Sequence, residues 1–174
     1  MKWRKGITLL EIVFVITLIV FLIEAVVSVY IVSLQGWDNL GHRSDLHEKL
    51  HFGLERVVRD VRQAEAISVA NNALRFTLKE SGVDNSYIYY LYNASDSFPP
   101  AYNQSSYDMR RTALTGGIGG TFTYGNGELI VTGLKPPSTY TTITSSGNLA
   151  LLKLVGQAKN DTLTVQGYVR PRNL

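Results

Sequence analysis

Two histidines and a glutamate in the middle of the chain have the residue types and the spacing that zinc chemistry uses. His47, Glu48 and His51 match the pattern H-E-x-x-H, in which two helical histidines bind zinc and the glutamate activates water. A catalytic zinc normally has three protein ligands, and no third ligand is identifiable from the spacing. Lys49 also places a cation inside the motif. We therefore interpret this segment as a solvated helix flank and expect no metal or cofactor, with a membrane-anchored zinc metalloprotease as the alternative.

Glu11 is a second residue of interest because it interrupts an apolar segment. Residues 7–32 form a run of 26 residues with few polar interruptions, which are Thr8, Glu11, Thr17, Glu24 and Ser28. A helix of this length spans roughly 39 Å, more than the bilayer core of about 30 Å. The run therefore predicts one membrane-spanning helix.

A carboxylate within such a helix costs on the order of 2.5–3.5 kcal/mol on insertion scales. Glu24 lies near the outer interface, where the cost is lower, and we interpret it as tolerated there. Glu11 lies about 6 Å along the helix from Ile7. It is either tolerated near the inner interface or meets a positive charge inside a protein assembly.

The charges around the apolar run predict its orientation. The whole chain has a formal charge of +3, and this excess lies in Lys2, Arg4 and Lys5. The positive-inside rule then places Met1 in the cytoplasm and everything after about residue 34 outside it. A cleaved secretory signal would need a shorter apolar region followed by a small-residue site, which is missing here. The rest of the chain is balanced in charge, so we expect no direct nucleic-acid binding.

The stretch from Lys5 to Glu11 resembles the processing motif of type IV pilins and pseudopilins. In that family a basic leader ends in glycine, a prepilin peptidase cuts after it, and the new N-terminus is methylated. The resemblance implies cleavage between Gly6 and Ile7 and makes Glu11 the fifth residue, which sets the register of the subunit in the filament. The usual residue after the cut is phenylalanine, so Ile7 is a departure that bears mainly on methylation.

The resemblance also implies partners and a location. We expect an inner-membrane precursor with its N-terminus in the cytoplasm and its C-terminal domain outside the cytoplasm. The partners would be prepilin peptidase, an inner-membrane assembly platform, membrane lipid before assembly, and other pilin or pseudopilin subunits. The resemblance is compatible with a pilus, a type II secretion filament or a DNA-uptake pseudopilus.

A second helical zone follows the apolar run. Gly36 and Gly41 weaken the helix between the zones, and Ser44 or Asp45 is a candidate cap for a restart. Apolar residues then recur at steps of three and four, at Leu46, Leu50, Leu54, Val57, Val61 and Ala64. This stripe predicts an amphipathic helix that docks on a sheet. The charged residues, Asp60 among them, are expected mostly on its other faces.

After residue 66 the pattern becomes that of strands and turns. Strands are predicted near 74–78, 87–92, 128–133, 149–155 and 162–169, with turns at Asn71-Asn72, Ser81-Gly82, Asn126-Gly127 and Asn160-Asp161. The predicted fold is α+β, with a long N-terminal helix packed on an antiparallel sheet. The expected segments are a leader at 1–6, a membrane or filament-core helix at 7–34, an amphipathic helix at 35–65 and a sheet domain at 66–174. No second core is visible in the sequence.

The helical segment 54–64 and the Tyr-rich strand resemble those of J-type minor pseudopilins and PilW-like minor pilins. Met109-Arg110-Arg111 and the closing segment 169–173 are similar as well. This implies a structural subunit without catalytic residues, placed at the filament tip or priming its assembly. Residues 116–120 lack the residues of a phosphate-binding loop and are expected to form a flexible loop. A plain signal-anchored binding module is a further alternative.

Overall fold

The protein has the α+β fold that its sequence predicts. A computed structural model describes residues 8–137, 141–146, 149–158 and 161–172. In these residues one long helix precedes eight strands, and every pairing among those strands is antiparallel. By internal packing the chain forms two compact units, the first ending at Gly41 and the second beginning at His42.

Helix α1 runs without interruption from Leu9 to Gln63. The break that we expected near Gly36 and Gly41, with a new cap at Ser44 or Asp45, is therefore absent. A glycine costs a helix only about 1 kcal/mol relative to alanine, and long helical segments on both sides outweigh that cost. At the other end, the backbone N–H of Arg172 donates to the Arg62 carbonyl at 3.2 Å and satisfies one of the last carbonyls of the helix.

The eight strands span Ala66–Ala70 (β1), Ala73–Glu80 (β2), Val83–Tyr92 (β3), Tyr107–Ala113 (β4), Glu128–Leu134 (β5), Thr142–Ser146 (β6), Leu149–Ala158 (β7) and Asp161–Val169 (β8). The five predicted strands are all present, within β2, β3, β5, β7 and β8. Strands β1, β4 and β6 were not predicted. β4 carries two adjacent arginines, and β1 and β6 are only five residues long, so each offers few alternations by which a strand could be recognised.

The sheet has the order β1-β2-β3-β4-β5-β7-β6, and β8 pairs with β7. Two predicted turns join its first three strands. Asn71 and Asn72 both have φ of 53°, and Ser81 and Gly82 have φ of 54° and 83°. Two positive φ values are the mark of the type I′ turn, whose twist suits a two-residue hairpin. The sheet curls, and the Asn72 side chain of the first hairpin accepts a hydrogen bond from the Ile143 backbone N–H in β6.

The predicted apolar stripe of α1 packs on the sheet. All six of its residues are buried and belong to the main hydrophobic cluster, together with Phe76, Tyr89, Leu91 and Met109 of the sheet. At Gly53 the helix comes so close to β5 that an added Cβ would collide with Val131. The helix and the sheet therefore share one core. A side chain at position 53 would increase the distance between α1 and β5.

A smaller hydrophobic cluster, which the sequence did not indicate, has a separate set of residues. Its buried members are Ala73, Ile88, Tyr90 and Leu114. Because side chains alternate along β3, Ile88 and Tyr90 belong to this cluster while Tyr89 and Leu91 belong to the main one. Phe98 from the loop between β3 and β4, and Phe122 and Tyr124 from the loop between β4 and β5, pack against it. This second cluster, built mainly on β2 and β3, was not expected from the sequence.

Candidate functional site

The apolar part of α1 presents its side chains to the surroundings over its whole circumference. Every residue from Leu9 to Gly41 is exposed, including Leu9 at 83%, Phe21 at 64% and Trp37 at 79%. An apolar surface of this extent marks contact with a membrane or with other proteins. Among the described residues α1 is the one helix long and apolar enough to cross a membrane. It is compatible with a transmembrane segment or a signal anchor.

Glu11 lies in the first turn of α1, where it has a local role. Its backbone N–H donates to the Thr8 side-chain oxygen at 3.3 Å, and Thr8 thereby caps the helix. Thr8-Leu9-Leu10-Glu11 has the capping-box spacing, and a carboxylate in the first turn also complements the helix dipole. The Thr-x-x-Glu spacing of this cap is present in the sequence, although we did not predict it. Gly6 and Ile7, the predicted processing site, lie outside the described residues.

The other polar residues of the apolar segment differ in how they are satisfied. Thr17 and Ser28 donate their hydroxyl protons to the carbonyls of Val13 and Glu24, each at 2.8 Å. Such bonds to the preceding turn remove the cost of a hydroxyl in an apolar environment. The carboxylates of Glu11 and Glu24 have no hydrogen bond or ion pair to any other described residue.

His47 and His51 lie one turn apart on an exposed face of α1. Their ring centroids are 4.5 Å apart, and Glu48 beside them is exposed as well. No group of three or more metal-ligating side chains occurs among the described residues. The zinc pattern is thus present as two imidazoles on an open helix surface, whereas a catalytic zinc uses three ligands and a pocket.

A buried polar network connects α1 with the sheet. Asp60 is only 8% exposed and was wrongly expected on a solvated face. Its carboxylate accepts a hydrogen bond from the Tyr89 hydroxyl at 2.7 Å and lies 3.1 Å from Arg111 Nε. That Nε makes no aligned hydrogen bond, so the attraction between Asp60 and Arg111 is mainly between charges. The guanidinium of Arg111 also stacks 4.0 Å from the centre of the Tyr87 ring.

Burial raises the pKa of Tyr89 well above its ordinary value of 10.0, and the hydrogen bond to Asp60 raises it further. The native state therefore keeps this phenol protonated, as a donor to the carboxylate. The network stabilises one position of the helix on the sheet.

A second ion pair joins the helix to the neighbouring strand. The two terminal nitrogens of Arg56 donate to the two carboxylate oxygens of Glu128 at 2.6 and 2.5 Å. The hydrogen bond to Glu128 raises the pKa of Arg56. This fork geometry is the strongest arrangement for a guanidinium and a carboxylate, and here it pins α1 to the start of β5. Asp45 and Lys49, one turn apart on α1, form a further ion pair at 2.6 Å.

The loop predicted at residues 116–120 is held by hydrogen bonds. Arg75 donates to the carbonyls of Ile118 at 3.1 Å and Gly120 at 2.8 Å. Thr115 and Thr121 close the base of the loop in an antiparallel bridge. The loop contributes to the fold through these bonds.

Comparison with known proteins gives no relative, since no protein-family model, no curated protein and no solved structure matches the chain.

Proposed function

We propose that this chain is a structural subunit of the type IV pilin and pseudopilin kind. Its precursor is held in the inner membrane by the apolar part of α1, and the mature subunit packs that helix against those of its neighbours in a filament. The sheet domain lies outside the cytoplasm and contacts sister subunits, at the filament tip or as a primer of assembly. The proposal assigns no catalytic residue to the chain.

One observation carries this proposal. The apolar segment of α1 is exposed on all sides, and Glu11 lies in the first turn of this helix. A basic leader that ends in Gly6 precedes the segment in the sequence. An anchor that faces only lipid gains nothing from a carboxylate at such a depth. A helix that moves from lipid into a protein bundle can offset that cost, because a neighbouring cation can meet the charge.

The role we propose for Glu11 is to pair with the amine of a neighbouring subunit. Cleavage after Gly6 frees the amine of Ile7, and a buried ion pair between this amine and Glu11 sets the axial register. Such a pair stabilises an assembly little in net terms, but breaking it leaves an uncompensated charge that costs about 3–5 kcal/mol. Because lipid is as apolar as the helix, van der Waals packing of the helix against its neighbours provides most of the binding energy.

The intact mass of the protein tests this proposal directly. The full chain is expressed with and without a matched, active prepilin peptidase, and we expect loss of residues 1–6 only when the peptidase is present. The new N-terminus carries a methyl group if Ile7 is a substrate for methylation. A Gly6→Ile variant is the matched control and should keep the full mass, since its bulky side chain obstructs the scissile bond. An unchanged mass of the parent chain contradicts the proposal.

The two alternatives predict different results. A membrane-anchored zinc metalloprotease that uses His47, Glu48 and His51 would retain stoichiometric zinc after purification. A plain signal-anchored binding module would keep its N-terminus uncut and would not require Glu11. Metal analysis of the purified full chain, together with its mass, separates all three functions.

A further inference from the structure

Eight of the nine arginines of the second unit fall into two groups, and the ninth, Arg170, is exposed and belongs to neither. Those of the first group bind partners within the fold, and they are Arg43, Arg56, Arg75, Arg110 and Arg111. Arg59, Arg62 and Arg172 differ from them. Their side chains are exposed and make no hydrogen bond to another described residue, and Arg59 lies at the limit of an ion pair, 4.0 Å from Asp60. Within the described fold, the positive charges of these three arginines are therefore largely unpaired.

These three arginines line one open groove. It lies between the last two turns of α1 and the C-terminal segment of the chain, and its volume is about 520 Å³. Glu55, Val58 and Gln63 complete its lining. The backbone hydrogen bond from Arg172 to the Arg62 carbonyl holds the C-terminal segment against the helix end and so keeps the groove's two sides together.

The charge of the groove favours an anion. Glu55 contributes one negative charge and the C-terminal end of the helix about half of one. Three guanidinium groups outweigh both and leave the groove positive by about one and a half charges. Arginine binds a carboxylate through two parallel hydrogen bonds, a geometry that gives direction as well as attraction.

The shape and lining of the groove favour a peptide over a small ion. Its volume is within the range of about 300–1,000 Å³ that holds ligands much larger than a phosphate ion. Val58 offers an apolar contact, Gln63 offers an amide for a backbone, and Glu55 repels a compact polyanion. We infer that this groove binds an acidic peptide segment of a protein partner, whose carboxylates pair with Arg59, Arg62 and Arg172.

Fluorescence anisotropy tests the inference with a defined probe. The probe is a fluorescein-labelled hexapeptide of alternating glutamate and alanine, and the protein is the full chain in micelles of an uncharged detergent. We expect saturable binding that weakens as salt is raised, and at least roughly tenfold weaker binding for the double variant Arg62→Ala and Arg172→Ala. Arg170→Ala is the matched control, since Arg170 is exposed and lies outside the groove; its affinity should stay within about twofold of the parent's.

Further arms make the result specific. A hexapeptide of glutamine and alanine should not bind, and Arg62→Lys should bind with intermediate affinity because it keeps the charge and loses the fork. Equal binding by the double variant, or an equal loss in Arg170→Ala, overturns the inference. Displacement of the probe by an equal concentration of inorganic phosphate shows a small-anion site and overturns it as well. Circular dichroism confirms folding, and because cleavage after Gly6 does not involve the groove, this test is independent of the filament proposal.

Discussion

At the scale of single residues, Glu11 has a local role as part of a helix cap and a proposed role in assembly. The capping bond uses the Glu11 backbone N–H and the Thr8 side chain, so Glu11→Gln keeps the helix start but removes the charge. We expect both Glu11→Ala and Glu11→Gln to be processed normally and to enter filaments roughly tenfold less well or worse, a loss of at least about 1.4 kcal/mol. Immunoblots of sheared filaments against membranes measure the ratio. Normal incorporation of the glutamine variant would leave Glu11 with only its role in the cap.

The network around Asp60 gives a second prediction at this scale. Tyr89→Phe removes the 2.7 Å hydrogen bond to the buried carboxylate while keeping the ring in the core. A hydrogen bond to a charged group contributes about 1.5–3 kcal/mol, and we expect the free energy of unfolding to fall by about that amount. Denaturant unfolding followed by circular dichroism measures the change. Tyr168→Phe is the control at an exposed position and should change the stability by less than about 0.5 kcal/mol.

The raised pKa of Tyr89 predicts a dependence on alkaline pH. Above about pH 10 the unfolded chain releases this phenolic proton while the native state keeps it. Stability is therefore fully present below pH 10 and falls as the pH rises further, by up to about 1.4 kcal/mol per pH unit for this residue. Tyr107, whose pKa burial raises to about 12, adds to the slope between pH 10 and 12. The free energy of unfolding, measured at several pH values above 10, should fall less steeply with pH for Tyr89→Phe than for the parent chain. An identical dependence on pH would contradict the assignment of this effect to Tyr89.

At the scale of elements, the contact between α1 and β5 depends on a missing side chain. Gly53→Ala improves helix propensity by up to about 1 kcal/mol but drives a methyl group into Val131. Overpacking of this kind costs about 1–3 kcal/mol, so we expect a net loss of stability. Gly41→Ala is a matched change in the same helix with no atom near the new methyl group, and it should stabilise the chain. Thermal unfolding of the two variants should shift in opposite directions; stabilisation by Gly53→Ala would show that the strand yields easily.

At the scale of the whole molecule, the proposed topology can be read with single cysteines, because the chain has none of its own. Ser105 is exposed in the second unit, and Lys2 belongs to the basic leader. In intact spheroplasts without prepilin peptidase, we expect Ser105→Cys to react with a membrane-impermeant maleimide and Lys2→Cys to react only after lysis. The opposite pattern of labelling would show that the orientation is the reverse of the one proposed. Labelling of both cysteines in intact spheroplasts would argue against a single span.

Local patterns in the sequence determined much of this protein. The length and apolarity of residues 7–32, the stripe from Leu46 to Ala64, five strands and the first two turns were all readable, since each depends on neighbours a few residues away. The continuity of α1 across Gly36 and Gly41 could not be predicted from the sequence. Helix propensity describes each residue by itself, whereas the long helical segments on both sides keep these two glycines helical.

Tertiary structure alone decided which charges are buried and where the arginines gather. Asp60 resembles its solvated neighbours in sequence, and Tyr89 and Arg111, which allow its burial, come from strands some 30 to 50 residues away. The groove brings Arg172 to the helix end through a backbone hydrogen bond that no sequence pattern indicates. The spacing of apolar residues along the chain shows which face of a helix or strand a residue lies on. Which residue it contacts there depends on how distant segments of the chain pack together.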